Sequence, residues 1–87
     1  MPCFVYLAEC SDGTYYCGIA KDVSKRLAMH NAGRASKYTR PRRPVRLVYC
    51  ERKKDRGSAL RREIEIKKMA RGMKESLIRQ PENRTKK

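Results

Sequence analysis

Five side chains in this 87-residue chain have types and spacings suited to joint action on a phosphate. Tyr6 and Tyr16 are phenols ten residues apart, each inside a short apolar run. Arg26 and His30 stand four residues apart, so on a helix they project from one side. There they place a cation and a hydrogen-bond donor beside an anion. Glu63 falls within a helically spaced apolar set, Ala59, Ile66 and Ala70. A carboxylate in such a stripe must find a cation, a set of hydrogen bonds or a metal. Arginines are plentiful, and a lone carboxylate with several waters suits Mg²⁺ equally well. Taken singly, each feature also has an ordinary reading, as strand aromatics, helix surface or ion pair. No HxH, DxD, phosphate-binding glycine loop or Ser-His-Asp order supports another mechanism.

These residues must be positioned by local elements. Residues 3–9 and 14–19 are β-rich runs around Ser11-Asp12-Gly13, an antiparallel hairpin. A two-residue loop would put the two tyrosines on opposite faces. A three-residue loop, with Gly13 left-handed, sets Tyr6 opposite Gly18 and Tyr16 opposite Ala8. That register gathers Cys3, Val5, Leu7, Tyr15, Cys17 and Ile19 on one apolar face. Tyr6, Ala8, Tyr16, Gly18 and Ala20 share the other, where small residues imply open floor around two phenols. Asp22 is a suitable N-cap for a helix to about Asn31, with Gly33 at its end and Val23 and Leu27 as its stripe. Residues 34–44 form a basic loop with two prolines, and residues 45–50 a third strand. A helix is expected from Ser58 to about Arg71, then a break at Gly72 and a short helix over 73–79. Residues 1–79 make one domain and 80–87 a disordered basic tail.

The charge is uneven. Of a formal +14, residues 1–33 carry a net of zero, residues 34–56 carry +8 and residues 57–87 carry +6. Such a field attracts polyanions and makes their binding salt-dependent; a solvated surface or an acidic protein partner is the alternative. Within the loop, Arg34, Lys37, Arg40, Arg42 and Arg43 are placed to grip phosphates, and Tyr38 to stack on an exposed base. Lys21, just after the second strand, adds another cation. The four cysteines contain no CxxC pair, and no apolar run approaches the length of a membrane span. A reducing cytoplasm is the expected compartment, and no required protein partner is evident.

Val5-Tyr6-Leu7, Tyr16-Cys17-Gly18, Arg26, His30 and a helical Glu63, in this order, resemble the GIY-YIG nuclease domain, with the likeness running from residue 3 to about 78. The resemblance implies an α+β fold, a three-stranded antiparallel sheet flanked by helices in the order ββαβαα. It implies that Tyr6 deprotonates the attacking water or relays its proton, and that Tyr16 positions the water or phosphate. Arg26 would neutralise charge on the phosphoryl oxygens, and His30 would orient a tyrosine or phosphate. Glu63 would hold one Mg²⁺ or Mn²⁺. The expected activity is metal-dependent, weakly sequence-selective DNA cleavage, with nicked, branched or damaged DNA as candidate substrates and RNA also open. A non-catalytic nucleic-acid-binding module is the competing reading. Both motifs depart from the family's wording while keeping the tyrosines and the glycine. A late Asn found in many relatives has no counterpart before residue 80, and Asn83 falls in the expected tail.

Overall fold

The computed structural model describes residues 2–80 and 83. Three strands form one antiparallel sheet: β1 (Cys3–Glu9), β2 (Tyr15–Ala20) and β3 (Arg46–Lys53), with β1 central. The helices are α1 (Val23–Asn31), α2 (Arg56–Lys67) and α3 (Arg71–Arg79), and a 3₁₀ turn covers Arg40–Arg42. The order is ββαβαα, as the sequence implies.

The hairpin has the expected register, Tyr6 opposite Gly18 and Ala8 opposite Tyr16. Its turn closes with Gly13 at φ +85°, in the left-handed region a glycine enters without steric cost. Two cores follow, one on each face. Cys3, Val5, Leu7, Cys17, Val48 and Tyr49 pack against Ala59 and Ile66 of α2 and Leu77 of α3. Tyr6, Ala8 and Ala20 pack on the other side with Val45, against Val23 and Leu27 of α1.

Three boundaries differ from the sequence expectation. β3 continues to Lys53 because its charged end is satisfied. Tyr49 Oη donates to Glu51, which also pairs with Arg62 at 2.9 Å and Lys53 at 2.8 Å. β1 pairs Leu7 with Tyr49 but Ala8 with Leu47, so Val48 is the extra residue of a bulge, and Val48 and Tyr49 enter the same core. α2 begins earlier, capped by Asp55 Oδ1 on the Ser58 amide at 2.8 Å, and ends at Lys67 rather than Arg71. Ala70 is therefore no part of the helix carrying Glu63. It is the extended N-cap of α3, and Gly72 lies inside α3's first turn. Met69 explains the earlier break: it packs against the core, and the chain must turn there to bring Leu77 and Ile78 onto the same face.

The tail also needs correction at one residue. Asn83 is 2% exposed; its amide accepts from the Cys50 N–H and donates to the Val48 and Ile78 carbonyls. Cys50 N–H and Val48 C=O lie on the outer edge of β3, away from β1. Asn83 covers that edge as a neighbouring strand would. The rest of the expected tail beyond Gln80 lies outside the described residues.

Candidate active site

β1 and β2 carry the tyrosines, and α1 crosses their face to bring His30 above them. Asp22 starts α1 where the sequence places it, accepting from the Lys25 amide at 3.0 Å, and Gly33 (φ +79°) ends its last turn. His30, in that last turn, is 1% exposed. Tyr6 Oη lies 2.9 Å from His30 Nε2, and His30 Nδ1 lies 2.8 Å from Thr39 Oγ1. The Thr39 hydroxyl donates onward to the Ser36 carbonyl at 3.4 Å. With its one proton so used, Thr39 must accept from Nδ1–H. A neutral ring then has Nε2 free to accept, and Tyr6 donates to it. The hydrogen bonds therefore run in one direction, from Tyr6 through His30 to Thr39.

The electrostatics agree with that assignment. Burial pushes the Tyr6 phenol above the usual tyrosine range, helped by neighbouring Tyr16; Arg26 opposes the shift, while Cys17 and Glu63 add to it. Burial, then the charge of Arg26, holds His30 below its ordinary value. Tyr6 therefore keeps its proton at neutral pH and His30 is free to receive one.

Small residues on this face do not leave open floor, contrary to expectation. The Tyr6 phenol lies over Gly18, where an added Cβ would fall 2.6 Å from its oxygen. Gly18 is required because its missing side chain is the space Tyr6 occupies. Tyr6 is consequently only 1% exposed. Tyr16, half-buried, is the phenol nearer solvent, its ring 6.4 Å from that of Tyr6 and 4.9 Å from that of His30.

Arg26 is exposed, yet near enough for its charge to be felt at both Tyr6 and His30. Glu63 projects from α2, and its charge is felt at Tyr6 and at Cys17, whose thiol burial and that carboxylate push up to about 12. The arginine partner that would have given Glu63 a purely structural reason is absent among the described residues. Arg62 pairs with Glu51 and Glu65, and Glu63 has only Lys67 Nζ at 3.7 Å. Its side chain is 16% exposed. The described residues contain no cluster of three His, Cys, Asp or Glu able to hold a metal. One partly exposed carboxylate, without a close cation, fits a hard, mostly hydrated ion such as Mg²⁺ and does not fit a zinc site.

The basic loop is placed beside this cluster and is more structured than its composition suggests. Arg42 bonds to Asp12 Oδ2 at 3.0 Å and to the Tyr38 carbonyl at 2.7 Å, and its guanidinium lies 4.0 Å from the Tyr38 ring centre. Arg40 donates to the Gly33 carbonyl, and Arg43 to those of Arg40 and Asn31. Tyr38 stacks on Tyr16 with ring centres 6.1 Å apart, so it is engaged already rather than waiting for a base. Arg34 and Lys37 are exposed without such ties. Lys21 lies apart from the loop, in a cleft beside Arg26. Thr39 is the residue sequence reasoning missed. It is 0% exposed, and nothing distinguishes one threonine in a basic loop until its partner is seen.

The model of the GIY-YIG catalytic domain matches residues 2–76. A UPF0213 protein of Staphylococcus aureus (strain Mu3 / ATCC 700698) is 51% identical over 77 residues, covering 88% of this chain and 94% of that protein. Two solution NMR structures are similar at a TM-score of 0.61. One, a UPF0213 protein from Bacillus halodurans, is 38% identical and covers 98% of this chain and 90% of its own. The other, from E. faecalis, is 36% identical, with coverages of 87% and 81%. No helix among the described residues is long and apolar enough to cross a membrane. The chain belongs to the GIY-YIG family, a nuclease superfamily, as a small stand-alone member.

Proposed function

We propose that this protein is a metal-dependent endonuclease that hydrolyses DNA phosphodiesters with little sequence selectivity. The observation that carries the reading is the one-directional hydrogen-bond chain from Tyr6 through His30 to Thr39. A phenol with its proton held on cannot act as a phenolate base at neutral pH. It can pass a proton along: as the attacking water gives its proton to Tyr6 Oη, Tyr6 gives its own to His30 Nε2. Thr39 keeps the ring in the tautomer that permits this. Arg26 faces the charge that builds on the phosphoryl oxygens. Tyr6 is covered in the free protein, so water reaches Oη when the half-buried Tyr16 ring turns aside on substrate binding. Glu63 would hold the divalent ion, which when bound supplies Lewis-acid stabilisation of the departing 3′ oxygen. Exposed Arg34 and Lys37, with the tied arginines behind them, hold flanking phosphates. Four free, buried cysteines suit a reducing cytoplasm.

The test is cleavage of labelled plasmid, single-stranded, branched and nicked DNA, and of RNA, with Mg²⁺ or Mn²⁺. Tyr6→Phe is expected to cut roughly 10²–10⁴-fold more slowly, the usual scale for removing a proton-transfer group. Glu63→Gln is expected to lose metal-dependent cutting while metal-free DNA affinity stays near wild type. Unaltered cleavage by both variants would overturn the assignment. Tight binding without cleavage of any substrate would favour a non-catalytic binding module, a reading to which the covered Tyr6 lends some weight.

A further inference from the structure

The loop is not the sole basic surface beside the tyrosines. A cleft of about 420 Å³ opens between the end of β2, the start of α1 and the first turn of α2, where Lys21, Lys25, Arg26 and Arg56 surround Ile19 and Met29. All four cations are exposed, and none has an ion pair among the described residues. One carboxylate also lines the cleft, that of Asp22, and it is committed to the Lys25 backbone amide as the cap of α1. Four cations converging on a concave, partly apolar surface match a phosphate attached to a sugar and base. The volume accommodates one nucleotide, far less than a duplex. Arg26 is common to this cleft and to the catalytic cluster, where its charge is felt at Tyr6 and His30. An anion bound in the cleft is thus one side chain away from the reacting phosphate.

We propose that this cleft seats the nucleotide adjacent to the scissile phosphate of a single nucleic-acid strand. Its phosphate rests on Lys21, Lys25 and Arg56, and its sugar or base on Ile19 and Met29. The word scissile rests on the nuclease reading; the binding does not. Seating requires one strand to leave its complement, so the substrate is single-stranded or frayed at that position. The loop 34–43 then serves the other side of the cut.

Binding of a labelled ten-nucleotide single-stranded DNA, and of its duplex, would be followed by fluorescence anisotropy at several salt concentrations. Lys25→Glu with Arg56→Glu is expected to bind the single strand at least tenfold more weakly and the duplex with a smaller loss. Its salt slope should be shallower by about 1.4, or ~0.7 for each of two lost phosphate contacts on a single strand. Lys68→Glu with Arg79→Glu makes the same change of charge at the far end of α2 and the end of α3. It should cost about twofold or less, since screening confines distant charges. The milder Lys25→Ala with Arg56→Ala repeats the test should the reversed charges disturb folding. Equal losses in the cleft and control pairs, or no loss from the cleft pair, would overturn the assignment. Wild type that binds but cuts nothing defeats the nuclease reading and leaves the cleft standing. Cutting that persists while the cleft pair binds and cuts like wild type defeats the cleft alone.

Discussion

His30 carries more of the proposed chemistry than its position as the chain's one histidine suggests. Burial, then Arg26, disfavours its charged form in the folded state. In the unfolded chain it titrates near its ordinary value of about 6.5. Above that pH both states hold a neutral ring and His30 adds no pH dependence. As pH falls below about 6.5 the unfolded chain takes up the proton first, and stability drops until the folded-state value is reached. Thermal melts between pH 8 and 5 should therefore show a decline that begins near pH 6.5 and is weaker in His30→Asn. Identical slopes in the two proteins would contradict it. The carboxylates held below their usual range, Asp12 and Asp55, act in the same direction but in more acid solution, and so separate from the histidine. The same protonation would block Nε2 as an acceptor, so cleavage should lose rate over an acid limb lying below 6.5. Tyr6, Tyr16, Arg26, His30 and Glu63 were all legible as residue types at characteristic spacings. Thr39 was not, because what marks it is the ring nitrogen it faces.

At the scale of elements, edges and breaks are where local and tertiary demands part. The hairpin register was readable because only one loop length segregates polar and apolar positions. The end of α2 was not, since Gly72 is the strongest local breaker while the core contact of Met69 ends the helix earlier. Arg71 then secures the helix pair to the hairpin turn, donating to the Gly13 carbonyl at 2.7 Å and lying 4.7 Å from the Tyr15 ring centre. Asn83 acts at the opposite edge of the sheet. Asn83→Ala removes the side-chain partner of a buried amide and two carbonyls, a loss of about 1–3 kcal/mol. In a domain of this size each kcal/mol lowers Tm by roughly 4–8 °C. Chemical denaturation should show the loss, and hydrogen exchange at the Cys50 amide should quicken. Unchanged exchange there would mean that the edge does not depend on Asn83.

For the molecule as a whole, +14 on 87 residues means self-repulsion in the folded state as well as attraction to polyanions. Salt should therefore move two properties in opposite directions. Between 50 and 200 mM, Tm should rise by a few degrees as repulsion is screened. Over the same range nucleic-acid affinity should fall, by roughly a hundredfold for about four phosphate contacts on a duplex. Calorimetry and anisotropy on one preparation would check both. An affinity indifferent to salt would instead point to an acidic or apolar protein partner. The direction of the binding field is a tertiary property. The loop and the Lys21–Arg56 cleft are separate in sequence, and the fold sets them on two sides of the tyrosines.

The sequence by itself determined the class of fold, the hairpin register and the five residues of the candidate site. Each follows from spacing within an element, and spacing is local information. Only the tertiary structure decided that Tyr6 is covered, that Gly18 is the space it fills, and that Thr39 sets the direction of the hydrogen bonds. The same is true of the cleft around Arg26 and of the edge sealed by Asn83. These depend on which surfaces meet when the helices close over the sheet. Burial and partner identity are properties of that packing, and residue spacing along the chain does not encode them.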